Sequence, residues 1–256
     1  MTTAGRPDEQ SEALARFAAD ALACDVLPRK KRSVQKLSKT YNAHVIVAGK
    51  TRYEYFPYGE TAPFFFHPNS AAFRLKRIAR GEHEPLIEVT KLQAGMSFLD
   101  CTLGIGSDSL VAAYVVGEHG KVVGVEANEN VAFIVREGMK TYDTTELPLT
   151  ACMRHIDVVT AEALDYLRTC SDNSFDVVYM DPMFETVIEE STNFTALRAA
   201  GEPTLLHEAW VKEAKRVAAK RVVLKAYYTS TLFAQFGFEQ QTRETAKFHY
   251  GVWEKH

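Results

Sequence analysis

Two short runs constrain this chain most, Val122-Val123-Gly124-Val125 and Val177-Val178-Tyr179-Met180. Both are apolar at consecutive positions, so an extended strand built from either one presents hydrophobic groups on its two faces. Such a strand is stable where helices cover the sheet on both sides, which is the setting of a parallel α/β sheet. From residue 84 the chain alternates accordingly. Helical spacing over 84–92, 106–117, 129–140, 161–169 and 204–218 is interleaved with extended runs at 97–101, 121–126, 155–159, 175–180 and 221–225. A short helix at 230–235 precedes two segments, 237–241 and 248–253, that read as a closing antiparallel pair.

The first third follows another pattern. Residues 1–8 read as a frayed terminus. Leu14, Phe17, Ala18 and Leu22 mark an amphipathic helix over 9–22, and Ser33 is placed to cap a short helix through Lys39. Residues 45–47 and 52–56 read as strands joined by the turn 48–51. Pro57, Gly59, Pro63 and Pro68 then mark a hinge-like stretch. The expected organisation is a small α+β domain at 1–62, a connecting segment at 63–83 and an α/β domain at 84–256.

Charge is divided along the same line. Residues 1–80 hold 14 Lys and Arg against 7 Asp and Glu, whereas residues 81–256 hold 16 against 26. The basic excess lies in the run Arg29-Lys30-Lys31-Arg32 and in a second group, Arg74, Lys76, Arg77 and Arg80. Clusters of this kind are the electrostatic footprint of a polyanion partner such as RNA. They also occur as solvated helix faces and salt bridges. The four cysteines are scattered without a C-x-x-C pair, and the eight histidines are dispersed. This usage fits reduced thiols in an intracellular, cytoplasmic protein and argues against a metal centre. No apolar run of membrane-spanning length and no signal peptide is present.

The chemistry concentrates at four strand ends. The first is the stretch Asp100-Cys101-Thr102-Leu103-Gly104-Ile105-Gly106-Ser107-Asp108. Gly104 and Gly106 allow a tight turn and a close approach of backbone to ligand. Glu126 ends the next strand, where a carboxylate can accept hydrogen bonds from two ribose hydroxyls or simply cap the strand. A dinucleotide would set its pyrophosphate at the helix start, yet Asp108 occupies that turn and would repel it. Asp100 is equally unsuited to phosphate but suits the ammonium of an amino-acid tail. The pattern therefore favours S-adenosylmethionine over NAD. Glu162 can accept from an adenine amino group or act as a surface cap.

The other two ends face a substrate. Asp181-Pro182-Met183-Phe184 follows the apolar run 175–180. Asp181 and the Pro182 carbonyl can accept from an exocyclic amine, while Phe184 offers a face to a planar base. Lys225 ends the run 221–225, where it can touch a phosphate, touch a cofactor carboxylate, or snorkel to solvent. Tyr227 and Tyr228 beyond it can line a base pocket or pack.

With these residues in hand, the chain resembles class I S-adenosylmethionine-dependent methyltransferases. Asp181–Phe184 is similar to the (Asp/Asn)-Pro-Pro-(Tyr/Phe) motif of enzymes that methylate amino groups, with Met183 in place of the second proline. Phe73–Leu86, Asp100–Asp108, Tyr179–Phe184 and Arg221–Lys225 resemble the RsmJ family of 16S ribosomal RNA guanine-N2 methyltransferases and its relatives in Gram-positive bacteria. The stretch before Glu84-Pro85-Leu86 departs from that family in being poorer in glycine.

The resemblance implies a Rossmann-like seven-stranded methyltransferase sheet with helices on both faces and an antiparallel last strand, preceded by a small α+β domain. It places Asp100, Thr102, Gly104, Gly106, Asp108, Glu126 and Glu162 against the cofactor and Asp181, Pro182 and Phe184 against the amine. Arg29, Lys30, Lys31, Arg32, Arg74, Lys76, Arg77 and Lys225 are the expected RNA contacts, with small-subunit ribosomal RNA as partner, no membrane, and a monomer or homodimer. Methylation of a small molecule, and a non-catalytic RNA-binding or assembly module that retains the cofactor pocket, are the competing expectations.

Overall fold

The computed structural model describes residues 1–144, 148–182 and 206–256. The described chain forms two compact units. The first comprises Met1–His67 and Asn128–Tyr142. Its sheet has the order β1 (Thr2–Thr3), β2 (Val45–Ala48), β3 (Tyr53–Phe56), with β1 parallel and β3 antiparallel to β2. The terminus expected to fray is thus a strand, and Thr2 is fully buried with its hydroxyl donating to Leu27 O at 2.8 Å. Helix α1 (Glu9–Ala21) is capped by Asp8, and α2 (Val34–Tyr41) by Ser33, whose hydroxyl accepts from Lys36 N. Val34, Leu37, Val45, Val47 and Phe56 form the small core beneath α2.

The second unit holds Pro68–Ala127 and the described residues of 143–187 and 203–256. It opens with α3 (Asn69–Ala79), a helix inside the stretch expected to be a connector, followed by α4 (Pro85–Thr90). The parallel strands are β4 (Ser97–Asp100), β5 (Lys121–Glu126), β6 (Ile156–Thr160), β7 (Phe175–Met180) and β8 (Ala218–Tyr227). Between them come α5 (Ser107–Val116), α7 (Leu149–Arg154), α8 (Ala163–Thr169) and α9 (Glu208–Val217), while α6 (Glu129–Thr141) belongs to the first unit. After β8 the chain forms α10 (Leu232–Gln235), β9 (Glu239–Gln241) and β10 (Phe248–Glu254).

The sheet order is β6-β5-β4-β7-β8-β10-β9, and β10 runs antiparallel to β8. This is the expected seven-stranded α/β sheet. Strand alternation divides its residues between two layers. Leu99, Val123, Val178, Met180, Val222 and Leu224 pack with Leu167 of α8 and Trp210, Val211 and Ala214 of α9. Phe98, Asp100, Tyr179, Val223 and Lys225 project to the opposite side, where α5 packs on β4 and β5 and α3 packs on α5. From β4 the chain moves outward to β5 and β6, then returns to place β7 on the other flank of β4. The order reverses between β4 and β7, and open sheets of this class bind ligands beyond the carboxyl ends at that reversal.

Gly251 shows how tightly the antiparallel edge is packed. A Cβ there would lie 2.5 Å from the Phe233 ring and 2.8 Å from Phe238 Cβ. Gly251→Ala is expected to cost about 1–3 kcal/mol through overpacking, read as a lower urea midpoint with an unchanged m-value.

Candidate active site at the β4–β7 junction

Four strand ends build the site. Asp100 closes β4 and is 1% exposed. Its Oδ1 accepts from Thr102 N at 3.0 Å and the Thr102 hydroxyl at 3.3 Å, and its Oδ2 accepts from the Ser109 hydroxyl at 2.7 Å. Burial, with Asp108 and Asp181 nearby, outweighs the Ser109 and Thr102 hydrogen bonds and pushes its pKa up to about 7. The turn itself is pinned at both sides: Cys101 N donates to Tyr179 O of β7 and Leu103 N to Val125 O of β5, each at 2.9 Å.

Gly104 and Gly106 have φ of +50° and +81°, in the left-handed region that glycine tolerates. Gly104 N donates to Glu126 Oε2 at 3.1 Å, so the carboxylate at the end of β5 stands directly against the turn. Gly124 of β5 makes that approach possible, because a Cβ there would meet Leu103 Cδ1 at 2.4 Å. The turn thus sets two glycines without side chains beside a carboxylate at the neighbouring strand tip, an arrangement that can receive the hydroxyls of a ribose. Glu162 stands exposed at the N-cap position of α8, and its side chain makes no capping hydrogen bond.

Asp181 N donates to the Thr102 hydroxyl at 2.8 Å, which ties the end of β7 to the turn after β4 across the order reversal. Lys225 Nζ lies 2.6 Å from Asp181 Oδ2. Met183 and Phe184 lie outside the described residues, as do 145–147 and the rest of 183–205.

Beneath these strand ends lies an ion network. Arg74 of α3 donates to Asp108 Oδ1 at 2.5 Å and to Glu84 Oε1 at 2.6 Å. Asp108 Oδ2 accepts from the Tyr179 hydroxyl at 2.9 Å. Burial raises the pKa of Asp108, but Lys225 and Arg74 together outweigh it and the net shift is downward. Burial likewise disfavours the Lys225 cation, and Asp181 and Asp108 outweigh it, so its pKa is raised. Tyr250, opposite Lys225 on β10, has its phenol pushed up by burial and by Asp108.

The structure therefore gathers Asp100, Thr102, Gly104, Gly106, Asp108, Glu126, Asp181, Pro182, Lys225 and Arg74 in one unit. Arg74 faces Asp108 and Glu84 with its side chain only 19% exposed. Arg77 pairs with Glu82 on the outside of α3, and Lys76 is half-buried. The run Arg29–Arg32 belongs to the first unit. There Arg29 and Arg32 donate to each other's backbone carbonyls, while Lys30 and Lys31 are exposed with positive φ. The sequence alone assigns no functional role to Tyr179, Tyr250, Glu84 or Ser109. Tyr179 and Lys225 are polar groups inside otherwise apolar β-runs, and that anomaly is the signal that could have found the network.

The family model described as “Putative SAM-dependent methyltransferase” matches residues 64–252. The uncharacterized protein YpiP of Bacillus subtilis is 43% identical over 252 residues, covering 98% of each chain. Ribosomal RNA small subunit methyltransferase J of Acinetobacter baylyi is 34% identical over 113 residues, which span 43% of this chain and 40% of that protein. A crystal structure of a SAM-dependent methyltransferase from Neisseria gonorrhoeae superimposes with a TM-score of 0.60 over 99% of this chain and 94% of that one, at 18% identity, a likeness of fold. Among the described residues no helix is long and apolar enough to cross a membrane, and no group of three or more His, Cys, Asp or Glu side chains could hold a metal.

Two outcomes follow from the buried charges. Arg74→Met leaves Glu84 and Asp108 without their shared partner, and a loss of about 3–5 kcal/mol is expected in denaturant unfolding. Asp100 acts in the opposite sense. Between 3.8 and about 7 the folded chain keeps a proton that the unfolded chain has released, so rising pH across that window favours unfolding. Asp100→Asn should therefore be more stable than the parent above pH 7, with the advantage shrinking as pH falls towards 4 in parallel thermal melts.

Proposed function

The chain belongs to the SAM-dependent methyltransferase family, and from that premise we propose that it methylates an exocyclic amine, guanine N2 of small-subunit ribosomal RNA. The observation that carries this reading is the hydrogen bond between Asp181 N and the Thr102 hydroxyl. It joins an Asp-Pro pair suited to an amine to the glycine turn suited to the methyl donor. The partial likeness to ribosomal RNA small subunit methyltransferase J supports the choice of acceptor.

The residues fit the donor. Glu126 at the tip of β5 would accept from the ribose hydroxyls, a role supported by its hydrogen bond to Gly104 N in the glycine turn. Asp100 offers a buried negative charge for the ammonium of the amino-acid tail, and that cation would in turn favour its ionised form. Glu162 is the partner for the adenine amino group. Held by these residues, S-adenosylmethionine would supply an electrophilic sulfonium methyl for an amine nitrogen.

The chain's own part is orientation and charge. Asp181 and the Pro182 carbonyl accept the two amine hydrogens and turn the nitrogen lone pair towards the donor. Their negative dipole and charge stabilise the positive charge that grows on nitrogen. Phe184 supplies a stacking face for the base. Lys30, Lys31, Arg29 and Arg32, with Lys76 and Arg77, contribute long-range attraction for the phosphate backbone.

Incubation with methyl-labelled donor and total RNA, assembled small subunits or protein extract, followed by nucleoside digestion, tests the reading. Label in N2-methylguanosine is expected; label confined to small metabolites overturns it. Asp181→Ala should lose at least about a hundredfold in transfer while keeping its affinity for S-adenosylhomocysteine.

A further inference from the structure

Lys225 and Asp181 occupy neighbouring places on adjacent strands, because Met180 pairs in register with Leu224. The ammonium nitrogen is 2.6 Å from Asp181 Oδ2 and 5.5 Å from the centre of the Phe248 ring. Only a quarter of its side chain is exposed. Among the described residues, Asp181 at the end of β7, Asp108 of α5, and Tyr250 and Phe248 of β10 are the groups that act on it. The carboxylate that would receive the acceptor amine therefore already holds a fixed cation.

Resting on the nitrogen-methylation reading above, we infer that Lys225 is a positioning residue that makes the site selective for neutral, conjugated amines of the kind a nucleobase carries, against alkylammonium groups. The ion pair holds one Asp181 oxygen and so fixes the plane of the carboxylate. A conjugated exocyclic amine is neutral near pH 7 and can donate to that carboxylate and to the Pro182 carbonyl without losing a proton first. An alkylamine, with a pKa near 10.4, arrives protonated and without a lone pair. It would have to approach Lys225 as a like charge and surrender its proton to a carboxylate whose charge is already matched. In the accepted case the N–C bond forms as the S–C bond breaks, its electron pair remains on sulfur, and the extra proton leaves the nitrogen for solvent afterwards. No base is required before transfer, and the site gives Asp181 a geometry for orienting rather than deprotonating.

The wild-type protein is incubated with methyl-labelled donor and, separately, small-subunit RNA, spermidine and polylysine, and the labelled atom is identified after digestion. Label on base amines, with transfer to either alkylamine lower by about a hundredfold or more, is the expected result. Comparable transfer to spermidine or lysyl nitrogen overturns the inference and leaves nitrogen methylation standing. Label on oxygen or carbon, or in none of the three, overturns the nitrogen reading and this inference with it. Lys225→Met is expected to lower kcat about tenfold or more while KM for RNA and affinity for S-adenosylhomocysteine stay near wild type, with Lys225→Arg restoring most of the rate. A Met variant with native kcat, or one that loses donor affinity in proportion, overturns the positioning role; if that variant fails to fold, the wild-type comparison of acceptors still decides.

Discussion

Asp108 is the point on which the site depends. It sits in the first turn of α5 with Arg74 on one oxygen and the Tyr179 hydroxyl on the other, and it shares the field of Lys225. Removing such groups from water costs several kcal/mol per ion, and the cost is recovered only where partners and hydrogen bonds are closely placed. Here the placement comes from five elements at once: α3 brings Arg74, α4 brings Glu84 at its N-cap, α5 brings Asp108, β7 brings Tyr179 and β8 brings Lys225. Any one of them displaced would leave a buried charge unmatched. The network thereby fixes the registration of helices α3 to α5 over the carboxyl edge of the sheet.

That registration has chemical consequences. The turn after β4 is held from both neighbouring strands through backbone bonds, and Thr102 extends the hold to Asp181. The glycine turn and the Asp181-Pro182 pair are thus braced by the same few residues. Asp100 lies between them with its proton affinity raised by burial and by two nearby carboxylates. A cation beside it would favour its ionised form, so the same electrostatics suit a ligand that carries an ammonium group.

Much of the fold was legible in the chain. The stretches Val122–Val125, Val177–Met180 and Val222–Leu224 are apolar at nearly every consecutive position, the pattern of a strand buried on both faces of a helix-covered sheet. The closing antiparallel pair was equally readable. Thr2–Thr3, α3 and α7 were not. The terminal strand is a two-residue pairing to β2 that no local period announces, and α3 carries Arg74 and Lys76 among its apolar residues, which dilutes the helical signal. At the site, Arg74 and Lys225 each read locally as surface cations. Their partners Asp108 and Asp181 lie 34 and 44 residues away, beyond the reach of any spacing rule.

By itself the sequence determined the alternating architecture, the glycine turn with its acidic neighbours, and the Asp-Pro pair at a strand end. Each is written in residues close together, where backbone freedom, periodicity and local charge act over a few positions. Only the tertiary structure decided which charges meet. Arg74 turns inward to Asp108 and Glu84, and Lys225 turns to Asp181, because strand order and register bring them within hydrogen-bond distance in a setting with little water. A Coulomb interaction depends on separation in space and on the surrounding dielectric, and neither quantity exists until the sheet has formed.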